Sequence, residues 1–142
     1  MDRGSAGAPG SQDPRRAATG LTPGHVSGPG EERLTVTLRT VGGSVVVAPS
    51  GELDHDTAGL LSEPLECLLD ERADRIVVDC SGLLFCDSTG LNVLLAARLR
   101  AQEAGAVIHL AAMRPAVARV FEITGAEIVF AVHSSLDEAL VD

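Results

Sequence analysis

From Leu34 the chain alternates apolar and polar positions, with Leu34, Val36 and Leu38 set against Thr35, Thr37 and Arg39. A period of two predicts a strand, because successive side chains point to opposite faces. Gly42–Gly43 makes a tight turn into "SVVVAPSGEL", so the two stretches predict a β-hairpin. The unbroken valine run predicts a second strand buried on both faces. "DTAGLLSEPLECLLDERAD" then sets Leu60, Leu61, Leu65, Leu68 and Leu69 at helical spacing. Pro64 leaves two starts open: a helix that begins near Asp56–Thr57 and bends, or one that begins after Ser62.

The same hand-over from strand to helix repeats to the end of the chain. "RIVVDCSG" predicts a short buried strand, and "STGLNVLLAARLRAQEAG" a helix with Leu91, Leu94, Leu95 and Leu99 on one face and Gly105 closing it. "AVIHLAAM" predicts a strand. "RPAVARVFEITGA" predicts a helix with Pro115 at its start, Gly125 just past its end, and Val117, Val120 and Phe121 as its apolar stripe. "EIVFAV" predicts the last strand, and "SSLDEALVD" a final helix opened by Ser134 or Ser135. The order ββαβαβαβα predicts an α/β fold: a mostly parallel five-stranded sheet, an antiparallel first strand at one edge, and about four covering helices.

Residues 1–32 show no such period and are rich in Gly, Pro, Ala, Ser and charge. A segment of that kind cannot bury enough surface to offset its ordering entropy. It predicts a disordered tail, with the folded domain spanning 33–142.

Composition narrows the partners. Aromatic residues make up 2% of the chain, with no Trp or Tyr, which argues against stacking of single-stranded nucleic acid. The net charge is -9, every basic residue is Arg, and most acidic groups lie beyond residue 32. Such a balance repels phosphate backbones and suits a protein partner with a basic face. Cys67, Cys80 and Cys86 lack CxxC spacing, so they predict buried thiols in a reducing compartment, with no zinc or disulfide framework. No secretion signal pattern and no membrane-length apolar run is visible, so the expected location is cytoplasmic, without membrane contact.

In a parallel sheet the strand-to-helix loops collect beyond the C-terminal ends of the strands, where sites form. Two such loops are polar and compact: "SGELDHDT" (Ser50–Thr57) and "CDSTG" (Cys86–Gly90). If their strands are neighbours, the loops share one surface. Ser88, just before the amphipathic stretch, suits a helix N-cap and equally suits a phosphoryl acceptor, since a helix N-terminus tolerates an anion. Asp87 would add repulsion to a modified surface, and Gly90 would let another protein's backbone approach. Asp56 is expected as a helix cap and Asp54 as an exposed partner contact, with the "DHD" run too thin a ligand set for a metal. A serine hydrolase finds little support: the first glycine of GxSxG is absent, and only His55, not His109 or His133, lies in a neighbouring loop. Phosphate-binding loops of Walker or GxGxxG type are absent.

"SGELDHDTA", "DRIVVDCSGLLFCDSTGLNVLLAARLRAQEAGA" and "RPAVARVFEITGA" together resemble the STAS-domain anti-sigma-factor antagonists of bacteria, over roughly residues 33–142. The telling block is Asp87-Ser88-Thr89-Gly90-Leu91, in register with Gly51-Glu52-Leu53-Asp54. The resemblance implies a non-enzymatic partner switch. The unphosphorylated antagonist binds an anti-sigma factor that is also a serine kinase, which releases the sigma factor. The kinase brings ATP and magnesium and phosphorylates the antagonist, which lets go; a serine phosphatase resets it. By this resemblance Ser88 is the modified residue and Thr89 the weaker candidate. Glu52, Asp54, His55, Asp87, Ser88, Thr89 and Gly90 are the expected partner contacts, and the chain itself holds no cofactor or metal. A STAS scaffold without a phosphorylation cycle is the alternative reading.

Overall fold

The computed structural model describes residues 33–141, so the expected tail over 1–32 lies outside the described residues. β1 (Leu34–Val41) runs antiparallel to β2 (Ser44–Leu53), from Leu34 opposite Gly51 to Val41 opposite Ser44. Gly42, at φ 59°, turns the hairpin in the left-handed region that glycine adopts without strain. β3 (Arg75–Asp79), β5 (Val107–Ala111) and β6 (Ala131–His133) follow in parallel, giving the order β1-β2-β3-β5-β6. A further strand, β4 (Leu83–Cys86), pairs in parallel with the far end of β2 and makes the sheet six-stranded. The sequence pattern predicts five. Four residues between Gly82 and Asp87 are too few to show a period, so β4 is visible only through its partner.

The helices are α1 (Ala58–Asp70), α2 (Ser88–Ala104), α3 (Pro115–Thr124) and α4 (Leu136–Val141). Val47, Ile76 and Val78 turn one sheet face toward Leu61 and Leu65 of α1, Leu94 of α2 and Phe121 of α3, and these form the main core. Val77 and Ala111 turn to the other face and meet Ala139 of α4. Parallel strands covered on both sides read as near-continuous apolar runs, as "RIVVD" does. β2 is less enclosed than its valine run implies, for Val45 and Ala48 are only partly buried.

Several elements end where local chemistry, rather than the apolar pattern, decides. α1 is one helix from Ala58 with Pro64 inside it. A proline there removes a backbone hydrogen bond, at a cost of about 3 kcal/mol. Complete burial of Leu61 and Leu65, at 0% exposure each, offsets it. Of the stretch "EIVFAV" (Glu127–Val132), Glu127 and Ile128 belong to a 3-10 turn, Ala126–Ile128, and only Ala131 and Val132 enter the strand Ala131–His133. Gly125, at φ 79°, has just reversed the chain there, and β6 starts only when it reaches β5. Ser135, not Ser134, caps α4, accepting from the Glu138 N–H at 3.1 Å.

α2 buries Leu91, Leu94, Ala97 and Ala101, while Leu99 is 56% exposed. Apolar and polar residues are interspersed around this helix, so its leucines alone do not define which side faces the sheet. Among the cysteines, Cys80 and Cys86 are buried but Cys67 is exposed on α1, contrary to the expectation from its apolar neighbours. Burial pushes the Cys80 and Cys86 thiols up to about 12, which keeps both protonated and unreactive near neutral pH.

Phe121 is 0% exposed and meets Phe130 edge to face with ring centroids 5.9 Å apart. Phe121→Ala is expected to cost about 3–5 kcal/mol in urea denaturation, and Leu99→Ala to stay within about 0.5 kcal/mol. Equal losses for the two would mean that α2 is rotated from the orientation described.

Candidate functional site

β2 changes partner along its length. Val45–Val47 pair with Ile76–Val78 of β3, and Gly51–Leu53 pair with Leu83–Cys86 of β4. Pro49, which has no N–H to donate, falls between the two paired segments. Leu53 ends level with Cys86, and the Asp87 N–H donates to the Leu53 carbonyl at 3.1 Å. The loop after β2 and the loop after β4 are thereby joined, as the sequence requires if they are to form one surface.

Asp87 is the N-cap of α2. It has extended backbone (φ -97°, ψ -173°), and its Oδ1 accepts from the Gly90 N–H at 2.9 Å. Ser88 is therefore the first helical residue and not the cap, a correction to the expectation from sequence. Asp87, not Ser88, has the extended backbone that a cap requires at the end of β4, so it takes the capping place. The serine is released from structural duty: Ser88 and Thr89 are exposed, and neither hydroxyl has a hydrogen-bond partner among the described residues.

Gly90 is buried. A Cβ there would stand 2.6 Å from Leu53 Cγ and 3.0 Å from the Leu53 carbonyl oxygen. Its smallness admits α2 against the end of β2, so the space expected for a partner's backbone is filled by this chain's own Leu53. Gly51 is constrained in the same way: at φ 118° it lies against the Arg33 carbonyl, which accepts from the Glu52 N–H at 2.7 Å.

Arg33 is the main feature that sequence reasoning missed. Its Nη1 donates to Asp54 Oδ2 at 2.5 Å and to Glu52 Oε1 at 3.3 Å, and its Nη2 to Asp56 Oδ2 at 3.3 Å. Asp54 Oδ1 also accepts from the backbone N–H groups of Asp56, at 3.0 Å, and Thr57, at 3.2 Å. Asp54 is thus a partly buried knot that shapes the loop, and not the exposed contact expected of it. The Arg33 guanidinium beside it, helped by the two backbone donors, lowers its carboxyl to about 2. Asp56 does not cap α1: the N-cap is Thr57, whose hydroxyl is turned back to the loop, accepting from the Asp54 N–H at 2.9 Å and donating to the Glu52 carbonyl at 2.8 Å, and makes no capping bond. A guanidinium already lies among the three carboxylates where a metal would have to sit.

The candidate residues fall into two groups. Glu52, His55, Asp56, Ser88 and Thr89 are exposed around the joined loops, whereas Asp54 and Asp87 shape them and Gly90 lies beneath. His55 Nε2 is 3.2 Å from Asp56 Oδ1, and among the described residues no histidine is hydrogen-bonded to Ser88. His109 in β5 and His133 in β6 stack on each other, Nδ1 to Nε2 at 2.9 Å. Leu84 and Phe85 of β4 were also missed, and stand 54% and 50% exposed beside the loops.

Comparison with known proteins adds to this geometry. The family model described as "Mlab, STAS domain" matches residues 36–133. The chain is similar to the anti-sigma F factor antagonist of Paenibacillus polymyxa, 27% identical over 110 residues that cover 77% of this chain and 94% of that protein. It is also 27% identical to the anti-sigma-F factor antagonist RsfB of Mycobacterium tuberculosis, over 77% of this chain and 88% of that one. Among solved structures, an anti-sigma factor antagonist from Mycobacterium paratuberculosis superposes with a TM-score of 0.72 at 28% identity, covering 82% of this chain and 97% of that one.

The Arg33–Asp54 pair carries a pH signature. Asp54 titrates lower in the folded chain than its ordinary value of 3.8, so its stabilisation is present above 3.8 and is lost as pH falls through about 2. In urea denaturation, the stability gap between the wild type and Asp54→Asn is expected to close across that interval. A gap that stays constant into acid would mean the pair contributes nothing.

Proposed function

This chain belongs to the STAS-domain family, and we propose that within it the protein is an anti-sigma-factor antagonist switched by phosphorylation of Ser88. The observation that carries the reading is the hydroxyl of Ser88. It is exposed, without a hydrogen-bond partner among the described residues, and held on a helix terminus that Asp87 caps independently. A phosphoryl group can be added there without removing any interaction the fold uses. It brings about 1.5 to 2 negative charges to a surface that already carries Glu52, Asp56 and Asp87.

The partner in this reading is an anti-sigma factor that is itself a serine kinase. It docks across both loops, brings ATP and magnesium, and transfers phosphate to Ser88, with Thr89 the weaker acceptor. Docking in the unphosphorylated state releases the sigma factor, and a serine phosphatase returns the antagonist to that state. Loss of a few interface contacts together with a misplaced dianion amounts to several kcal/mol, and about 1.4 kcal/mol is tenfold in affinity. The names of the relatives, and their coverage of nearly the whole described fold, support the antagonist assignment. Asp54 and Gly90 act in this scheme by holding the loops in place.

The decisive measurement is binding of the purified anti-sigma factor with and without ATP. Ser88→Ala is expected to bind and to stay bound after ATP is added, and Ser88→Glu to bind poorly. Mass spectrometry of the wild type after incubation with kinase and ATP should place phosphate on Ser88. Full phosphate incorporation into Ser88→Ala would move the site elsewhere. Binding that never responds to ATP in the wild type would favour a scaffold role without a cycle.

A further inference from the structure

Leu84 and Phe85 are consecutive in the chain and both turned to solvent, at 54% and 50% exposure. A regular strand points neighbours to opposite faces, and β4 departs from this at a bulge. Gly51 is level with Leu83 but Glu52 is level with Phe85, so Leu84 is the extra residue. Bulges re-aim side chains next to functional sites. Here the bulge holds two large apolar side chains outside a fold that buries Leu83 at 0% and Cys86 at 2% exposure on either side of them.

The pair is continuous with the loops described above. Phe85 lies beside Glu52 in the sheet, and Ser88 follows three residues later, a span of at most about 10 Å. Carboxylates stand around it: Glu52, with Asp54 and Asp56 behind, and Asp87 at the helix cap. Among the described residues Arg33 is the one arginine paired with those three β2-loop carboxylates, so carboxylates outnumber guanidinium groups along the rim. An apolar centre within a charged rim is the usual anatomy of a protein docking face.

We propose that Leu84 and Phe85 are the apolar anchor of the docking face, seated in an apolar pocket of the anti-sigma factor whose edge carries basic groups. This inference rests on the reading of Ser88 given above. It also assigns the means by which phosphate dismisses the partner. Charge alone does not suffice, because a basic-edged partner attracts an acidic rim. A dianion within about 10 Å of an apolar contact must instead give up water without gaining a matching partner, which is strongly unfavourable. The pocket over Leu84 and Phe85 excludes the phosphate by desolvation.

The test uses the full chain and the purified anti-sigma factor retained by Ser88→Ala. Phe85→Ser, and separately Leu84→Ser, are expected to weaken binding about thirtyfold or more, as for a docking hot spot, with thermal unfolding unchanged because both side chains are exposed. Raising salt from ~0.1 M to ~1 M shortens the screening length from about 10 Å to about 3 Å, and should not restore binding of Ser88→Glu. Wild-type affinity for Phe85→Ser and Leu84→Ser alike would overturn the anchor while leaving the Ser88 switch standing. Recovery of Ser88→Glu binding in high salt would overturn exclusion by desolvation in favour of plain repulsion. If Ser88→Ala retains no anti-sigma factor at all, the functional reading fails and this inference falls with it.

Discussion

The parallel pairing of Leu53 with Cys86, locked by the Asp87 N–H on the Leu53 carbonyl, is the contact on which the site depends. It forces two loops from distant parts of the chain onto one surface. It also fixes where α2 begins, since the residue that donates to β2 is the residue that caps the helix. Gly90 is a consequence of the same contact: with Leu53 this close, any side chain at the third helical position would collide. Tolerance for change at the surface around Ser88 thus rests on intolerance beneath it.

Charge around the loops is divided between structure and display. Arg33 draws Glu52, Asp54 and Asp56 together, and Asp54 spends its oxygens on that arginine and on two backbone donors. Asp87 spends an oxygen on the helix terminus. What faces outward is then a mixed surface of hydroxyls, partly offset carboxylates and the Leu84–Phe85 pair. Coulomb attraction between exposed charges is screened and weak, while exclusion of water from an apolar contact is not. A modification beside such a contact acts on the stronger of the two effects.

The limits of the sequence pattern have physical causes at particular residues. β4 is four residues long and borrows its order from β2, so no period announces it. Leu99 belongs to a helix whose apolar residues are scattered among polar ones rather than gathered in one stripe, and only contact with the sheet chooses Ala97 and Ala101 over it. Cys67 shares its neighbours' apolar run yet points outward, because α1 already buries Leu61, Leu65 and Leu69. Ser88 and Asp87 are both good caps by composition, and the choice between them turns on which backbone is extended at the end of β4.

The amino-acid sequence by itself determined the alternation of strands and helices, the antiparallel hairpin, the mostly parallel sheet and the block Asp87–Leu91 as a candidate site. Those properties follow from period, turn residues and local caps, which act over a few neighbours along the chain. Only the tertiary structure decided that Arg33 reaches the loop after β2, that Asp54 is held inward, that Gly90 packs on Leu53, and that Leu84 and Phe85 stand outside. Each of these depends on which strand lies beside which, and contacts between residues 20 or more apart leave no periodic trace in the sequence.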